Sequence, residues 1–428
     1  MIFYLFYDKV NSLTLFVFLE IKRKFTFMRI LHTADWHLGK KLDFFSRLEE
    51  QTAVMQEIVE ITRRENVDLV LIAGDLFDSF NPPIEAVELF YKTLKSLSEN
   101  GKRAVIAIAG NHDSPNRISA PDPLARSAGI ILIGHPKAKV RDINMSGNFA
   151  IQKSEEGLIE LIFHHIPYPV RLIHTAYANE SRLKQYLDIE NKETALNAAL
   201  TEHWQNLADS FCDNTGVNLL MSHLYMLQKN TSGPEEPDGE KPLRLGNADL
   251  IYTDAIPKQI QYTALGHLHS YIPLGSGHQK INYSGSPLAY SFTEGERKKQ
   301  VLIIDVKPSE KPTVEKVELN SGRTLTRKYF DNIPEAEEWL KTYADTLVEL
   351  SIESKEYLTA QDISTLRKAH DGIVHLIPII KNKREEAKNI QKINLNDSIE
   401  NIFEDYFKSR MGQAPNQEIK DLFKQLLS

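Results

Sequence analysis

Five short polar clusters hold the side chains of this chain whose types and spacing could do chemistry together. They are Asp35-Trp36-His37, Gly74-Asp75-Leu76-Phe77-Asp78, Gly110-Asn111-His112-Asp113, Ser222-His223 and Gly266-His267-Leu268-His269. Carboxylate, imidazole and amide oxygen are donors for hard to borderline divalent ions, so the chemistry they share is that of a metal site. One cluster alone is weak, because an isolated Asp35 serves equally well in an Asx turn or at a capped strand end. The set gains its weight from order and setting, since each member follows an apolar run.

Those runs are the elements that must position the site. Arg29–Ala34, Asp68–Ala73 and Ala104–Ala109 are short, β-branched and separated by helical patterns, which reads as buried parallel strands. Val217–Met221 and Gln261–Leu265 deliver the two later clusters in the same way. Open α/β sheets bind ligands beyond the carboxyl ends of their strands, so all five clusters are expected to face one crevice. Between the strands, Leu48, Met55, Ile58 and Val59 share a helical face, as do Val87, Phe90, Tyr91 and Leu94. Asn81-Pro82-Pro83 reads as a helix start with Asn81 as cap. Further strands are expected over 130–133, 158–163, 301–306 and 313–317, and a polar helical stretch over about 171–211.

Composition bounds the rest. With 428 residues the chain is long enough for two or more domains, and its 42% hydrophobic and 25% charged content is that of an ordinary globular protein. A net charge of −7 does not announce a nucleic-acid binder, yet bound divalent ions and a local basic rim can offset a mean charge. The single Cys212 excludes an internal disulfide framework and a cysteine-built zinc site, and it fits a reducing compartment. Residues 1–27 carry a short apolar run, Leu13–Leu19, followed by Glu20 and Lys22-Arg23-Lys24 rather than by a cleavage site, and the run is far short of the ~20 residues a spanning helix needs. We read Met28 as the native start and 1–27 as translated upstream sequence; a membrane-associating extension is the competing reading.

The order D-x-H, GD-x-x-D, GNHD, H, GH-x-H resembles the calcineurin-like metallophosphoesterases. The resemblance implies an α/β fold: a metallophosphoesterase β-sandwich flanked by helices, over 28–324. It also implies two divalent ions, held ~3.5–4 Å apart as a clamp on the phosphoryl group. Asp35, His37, Asp75 and His269 would hold one ion, and Asp75, Asn111, His223 and His267 the other, with Asp75 bridging. His112 would contact the scissile phosphate and protonate or stabilise the leaving oxygen, and Asp113 would orient its ring. Asp78 is expected either to support a ligand histidine or to cap a helix. Water activated by the ions would be the nucleophile, since no serine or cysteine elbow is present. Manganese is the ion favoured; magnesium, iron and zinc also suit the donors. His32 is expected to be buried and hydrogen-bonded, and His164 and His165 to end a strand near the crevice without acting as ligands.

Within that superfamily the chain resembles the SbcD nuclease subunits. The likeness runs through Met28–Lys40, Gly74–Asp78 with Pro82-Pro83, Gly110–Pro115 with Arg117, His165–Tyr168 and Tyr262–His269. It implies a metal-dependent DNA nuclease of the cytoplasm and nucleoid. Such a nuclease acts on double-strand ends and on hairpins or single strands, as a homodimer within a heterotetramer with an SbcC-type coiled-coil ATPase. Lys40, Lys41, Arg47 and Arg117 are candidate phosphate-backbone contacts. After the catalytic unit we expect a small α+β cap over 325–382, a charged linker over 383–394 and a helix pair over 395–428. The pair carries Ile399, Ile402, Phe403, Tyr406 and Phe407 on one stripe and Leu422, Phe423 and Leu426 on the other, a surface suited to docking on the ATPase. The alternatives are a phosphatase or nucleotide phosphodiesterase, and a non-catalytic scaffold for DNA or SbcC.

Overall fold

The computed structural model describes residues 27–183, 192–229, 231, 250–275, 277–295, 297–354, 358–380, 402–404, 407, 415, 420 and 423. The chain divides into two compact units between Thr326 and Arg327. In the first unit, Met28–Thr33 (β1) pairs in parallel with Leu69–Ala73 (β2), which pairs in parallel with Ala104–Ile108 (β3), followed by Ile130–Ile133. On the other flank of β1 lie Gln300–Val306 and then Thr313–Glu318, both antiparallel. Every residue of β2 and β3 is buried, which is what unbroken apolar runs require when both sheet faces are covered. The helices Leu48–Arg64 and Ile84–Ser98 supply part of that cover through Val54, Ile58, Phe90 and Leu94. Asn81 is not the cap of the second helix. Pro83 holds that position, and the Asn81 side chain accepts a hydrogen bond from Arg117 instead (3.1 Å).

A second sheet packs on the first. Its strands include Leu158–Phe163 (β4), Val170–Thr175 (β5), Val217–His223 (β6) and Tyr262–Gly266 (β7). β5, β6, β7 and Lys280–Tyr283 run parallel to one another, while β4 is antiparallel to β5. One core joins the inner faces of both sheets through Leu71, Ile106, Leu219, Met221, Tyr262 and Ala264. A second core fills the space between the outer face and the helix Lys192–Phe211, centred on Trp204, Leu200, Ile173, Leu220 and Tyr283. The layers are those of a β-sandwich with helices outside, as expected.

The expected helical stretch over 171–211 needs correction. Val170–Thr175 is a wholly buried strand, with Leu172 on it, and the long helix of this region begins at Lys192. Arg171 and His174 disguise the strand. The Arg171 guanidinium is tolerated in the interior because the carboxylates of Glu160 and Asp213 each lie 2.8 Å away.

The second unit is built on a sheet ordered Thr324–Phe330, Thr346–Ser354, Ile373–Ile380, the last two parallel, whose first strand starts three residues ahead of the division. Its helix Ile333–Thr342 is capped by the Asn332 side chain, and Ala360–Ala369 begins with a capping box between Thr359 and Asp362. Leu340, Val348, Leu350, Leu366 and Ile373 form its core. The first of these strands has no counterpart in the expectation from sequence. In the tail, the rings of Phe403 and Phe423 stack with centroids 3.9 Å apart, so the two apolar stripes meet each other at that point. Ile402, Phe403, Phe407 and Phe423 are half-buried; Ile399, Tyr406, Leu422 and Leu426 lie outside the described residues, as do the linker and 1–26.

Candidate metal centre

The ends of β1, β2, β3, β6 and β7 converge. Asp35 and His37 follow β1, Asp75 follows β2, Asn111 follows β3, His223 closes β6 and His267 follows β7. The turns are tight enough to force unusual backbone. Asp35, His37, Asp75 and His267 all have positive φ (54°, 44°, 48° and 108°), a region that side-chain-bearing residues enter at a cost of about 1–3 kcal/mol each. Two glycines make the approach possible. A Cβ on Gly74 would lie 2.3 Å from His223 Nδ1, and one on Gly110 would lie 2.1 Å from Asp75 Oδ1.

The donor atoms gather in overlapping groups. Those of Asp35, His37 and His269 lie within 4.8 Å of one another, as do those of Asp35, Asp75 and His223, and those of His37, Asp75 and His112. Asp75 sits between the groups, with Oδ2 3.6 Å from His37 Nε2 and 3.4 Å from His223 Nε2. The Asn111 amide oxygen is 2.9 Å from His223 Nε2 and 3.1 Å from His267 Nδ1. His37 Nε2 and His269 Nε2 face each other at 2.9 Å.

The residues fit divalent cations. Asp35 Oδ2 and His267 Nε2 are buried without a hydrogen-bond partner, an arrangement that costs free energy unless a ligand satisfies it. Burial pulls the His37 and His267 imidazoles down to about 3, which keeps them in the neutral form that coordinates a metal. Burial pushes Asp35 up to about 7. Burial also opposes charge on Asp75, but the neighbouring His223, His112 and His37 rings outweigh it and hold this carboxyl well below the usual range. Burial lowers His223 too, yet Asp75 and Asp35 raise it to about 9. The buried carboxylates thus find a counter-charge in a proton on imidazole, a role that divalent cations can fill.

His112 has its Nδ1 2.9 Å from the Asp78 carbonyl oxygen. A carbonyl only accepts, so Nδ1 carries the hydrogen and Nε2 is left for the crevice. Asp113 does not orient this ring as expected. Its carboxylate accepts the backbone N–H groups of Leu76, Phe77 and Gly110 at 2.8–3.0 Å, which ties the second cluster to the third. Asp78 caps no helix; its Oδ1 lies 3.4 Å from His37 Nδ1 and 3.3 Å from Lys40 Nζ.

Among the DNA-contact candidates, Lys41 and Arg117 are exposed and Lys40 is half-buried beside Asp78. Arg47 is buried, pairing with Glu50 and donating to the Ala289 carbonyl oxygen (2.8 Å), so it is a structural cation and not a phosphate contact. His32 is buried and bonded to the Tyr262 hydroxyl (2.8 Å), as expected. His164 and His165 do not approach the crevice, because β4 runs the other way; His165 Nε2 reaches Asp68 Oδ1 (2.8 Å) ahead of β2.

Three supporting residues escape the sequence reading. Gln51 donates to the His37 carbonyl oxygen (2.8 Å) and to the Tyr290 hydroxyl (3.1 Å), and Tyr290 donates to the Trp36 carbonyl oxygen. Arg182 donates to the carbonyl oxygens of Gly110 (2.8 Å) and Asp113 (2.9 Å), clamping the third cluster from outside. None of them lies in a motif. Arg182 falls in a stretch whose helical pattern carries no sign of the site.

A phosphoester-cleaving metal centre is the class that this fold and donor set define. Residues 28–271 match the family model of the calcineurin-like phosphoesterases, and the chain belongs to that family. It is similar to the SbcD subunit of the nuclease SbcCD from Bacillus subtilis strain 168, with 35% identity over 94% of this chain and 98% of the relative. The SbcD subunit of the same nuclease from Staphylococcus epidermidis is 26% identical over the same shares. Among the described residues, no helix is long and apolar enough to cross a membrane.

Proposed function

We propose that this protein is a metal-dependent DNA nuclease, the nuclease subunit of an SbcCD-type complex, that hydrolyses phosphodiesters at duplex ends and in hairpins or single strands. The observation that supports the reading is the position of Asp75, whose Oδ2 lies 3.6 Å from His37 Nε2 and 3.4 Å from His223 Nε2, so that one carboxylate could serve two ions. When bound, two divalent ions, manganese by preference, polarise the phosphoryl oxygens and make water a competent nucleophile. The ligand sets remain those inferred from the family: Asp35, His37, Asp75 and His269 for one ion, Asp75, Asn111, His223 and His267 for the other. His112, whose Nδ1 hydrogen is held by the Asp78 carbonyl, would present Nε2 to the phosphate; as an imidazolium it carries a second hydrogen there, which would pass to the leaving oxygen and leave the neutral ring behind. Asp113 and Arg182 keep the His112 loop in register. Lys40, Lys41 and Arg117 remain candidates for backbone phosphates.

The α+β cap domain would span 325–382, and the tail over 395–428 would dock on an SbcC-type ATPase within a heterotetramer of the cytoplasm. A labelled duplex incubated with manganese, with and without that partner and ATP, tests the reading, and DNA left uncut in every arm would sink it. His112→Ala is expected to retain metal and to slow cleavage by about 10²–10⁴-fold. Removing 395–428 is expected to spare hydrolysis of a small phosphodiester and to abolish SbcC binding.

A further inference from the structure

The ring of His269 has two sides. Its Nε2 faces His37 inside the donor cluster, while its Nδ1 lies 3.4 Å from Oε1 of Glu294. Glu294 is fully buried and outside every motif that marks the site. Its other oxygen is 2.6 Å from Lys299 Nζ, and the same ammonium donates to the His269 carbonyl oxygen (3.0 Å) and to Ser286 Oγ (2.9 Å). A buried carboxylate is expensive unless paired, and Lys299 provides the pairing from the far side. The Glu294 oxygen turned to His269 is thus fixed in place and charged. Among the described candidate ligand histidines, His37 has the nearest counterpart in Asp78, but only His269 faces a fully buried carboxylate that is not itself a candidate ligand. His223 turns its outer Nδ1 to the neutral Ala73 carbonyl (2.8 Å), and Asp78, which faces His37, is partly exposed and shared with Lys40.

A carboxylate behind an imidazole fixes which nitrogen carries the hydrogen, sets the ring plane and makes the donor nitrogen more basic. We propose that Glu294, charge-balanced by Lys299, is a positioning residue for His269 and sets the affinity of one ion of the pair, the one shared by Asp35, His37 and His269. The inference rests on the dimetal reading above, and its test reads metal rather than cleavage.

Manganese binding to the full chain is measured by titration, with stoichiometry from elemental analysis and the magnetic coupling of the pair from electron paramagnetic resonance. Glu294→Gln is expected to weaken one of the two ions by about 10–100-fold, to leave the other unchanged and to replace the coupled signal with that of a lone ion at limiting manganese. Because Glu294→Gln strands the Lys299 ammonium, the double variant Glu294→Gln/Lys299→Met keeps the interior neutral and should show the same selective loss. Two ions bound as in the wild type by both variants would overturn the proposal, and so would equal weakening of both ions, which would reduce Glu294 to a packing role. A wild type that binds two ions and leaves DNA uncut would end the nuclease reading, while the selective loss in the variants would still support the role of Glu294.

Discussion

Two strands of the second sheet end in histidine, and the molecule uses them in opposite ways. β6 closes with His223, fully buried among the donors of the metal centre, whereas β4 runs into His164 and His165, both exposed. Their sequences are alike: an apolar run, then imidazole. The difference is direction. β6 is parallel to β5 and β4 is antiparallel to it, so the two ends lie at opposite edges of the sheet. His165 meets Asp68 just before β2, while Asp75, just after β2, meets His223. The same strand therefore has a catalytic edge and a structural edge, and β2 joins them through its length.

The sharpest way to break this contrast is at Asp75. Asp75→Asn removes the charge shared by the donor groups of His37 and His223, so on the proposed ligand sets both ions would lose an anionic ligand at once. A loss of several kcal/mol of transition-state stabilisation corresponds to about a thousandfold or more in hydrolysis of a small phosphodiester, together with loss of paired metal binding. Wild-type turnover by this variant would remove the catalytic edge altogether.

A smaller effect is expected on β5, the strand against which both directions are measured. His174 is fully buried and neither ring nitrogen has a hydrogen-bond partner, and burial pulls it down to about 3, with His203 adding to the shift. The unfolded chain would protonate it near its ordinary value of 6.5. Above that pH the group contributes nothing to pH dependence. As pH falls from 6.5 towards 3, the unfolded state takes up a proton that the folded state refuses, and stability is lost at up to about 1.4 kcal/mol per pH unit. Replacing His174 with leucine should flatten that limb of the stability curve, read by denaturant titration at about pH 7, 5 and 4, on either side of the ordinary histidine value; identical slopes would show that β5 has no such sensitivity.

Much of the catalytic edge is legible in the sequence because chemistry and periodicity agree there. Unbroken apolar runs mark β2 and β3 as strands buried on both faces, and a polar cluster directly behind each is hard to explain by packing. What stays hidden depends on long-range geometry. β5 reads as helix because Arg171 and His174 interrupt its apolar pattern, and only Glu160 and Asp213, distant in sequence, make Arg171 tolerable inside. Arg47 reads as a free cation on a loop, although Glu50 and the Ala289 carbonyl hold it in the interior. Asp113 reads from its position as the partner of the ring beside it, yet its oxygens turn back to the amides of a neighbouring turn. Glu294 and Arg182 sit in segments without a motif and reach the site only through the fold.

The smallest effect belongs to the structural edge. His165→Ala removes an imidazole whose side chain is 41% exposed and whose partner Asp68 also accepts the Arg29 backbone N–H (2.9 Å). A pair of this kind in contact with solvent contributes about 0–1 kcal/mol, and Asp68 keeps its backbone partner when the ring is gone. Melting temperature should therefore move by a few degrees at most, and hydrolysis and metal binding should stay at wild-type values. His223→Ala, one sheet edge away, is the matched control, since it takes a donor out of the metal cluster. If the two substitutions cost the same activity, strand direction would not be what separates the two histidines, and the two edges would have to be coupled through β2 itself.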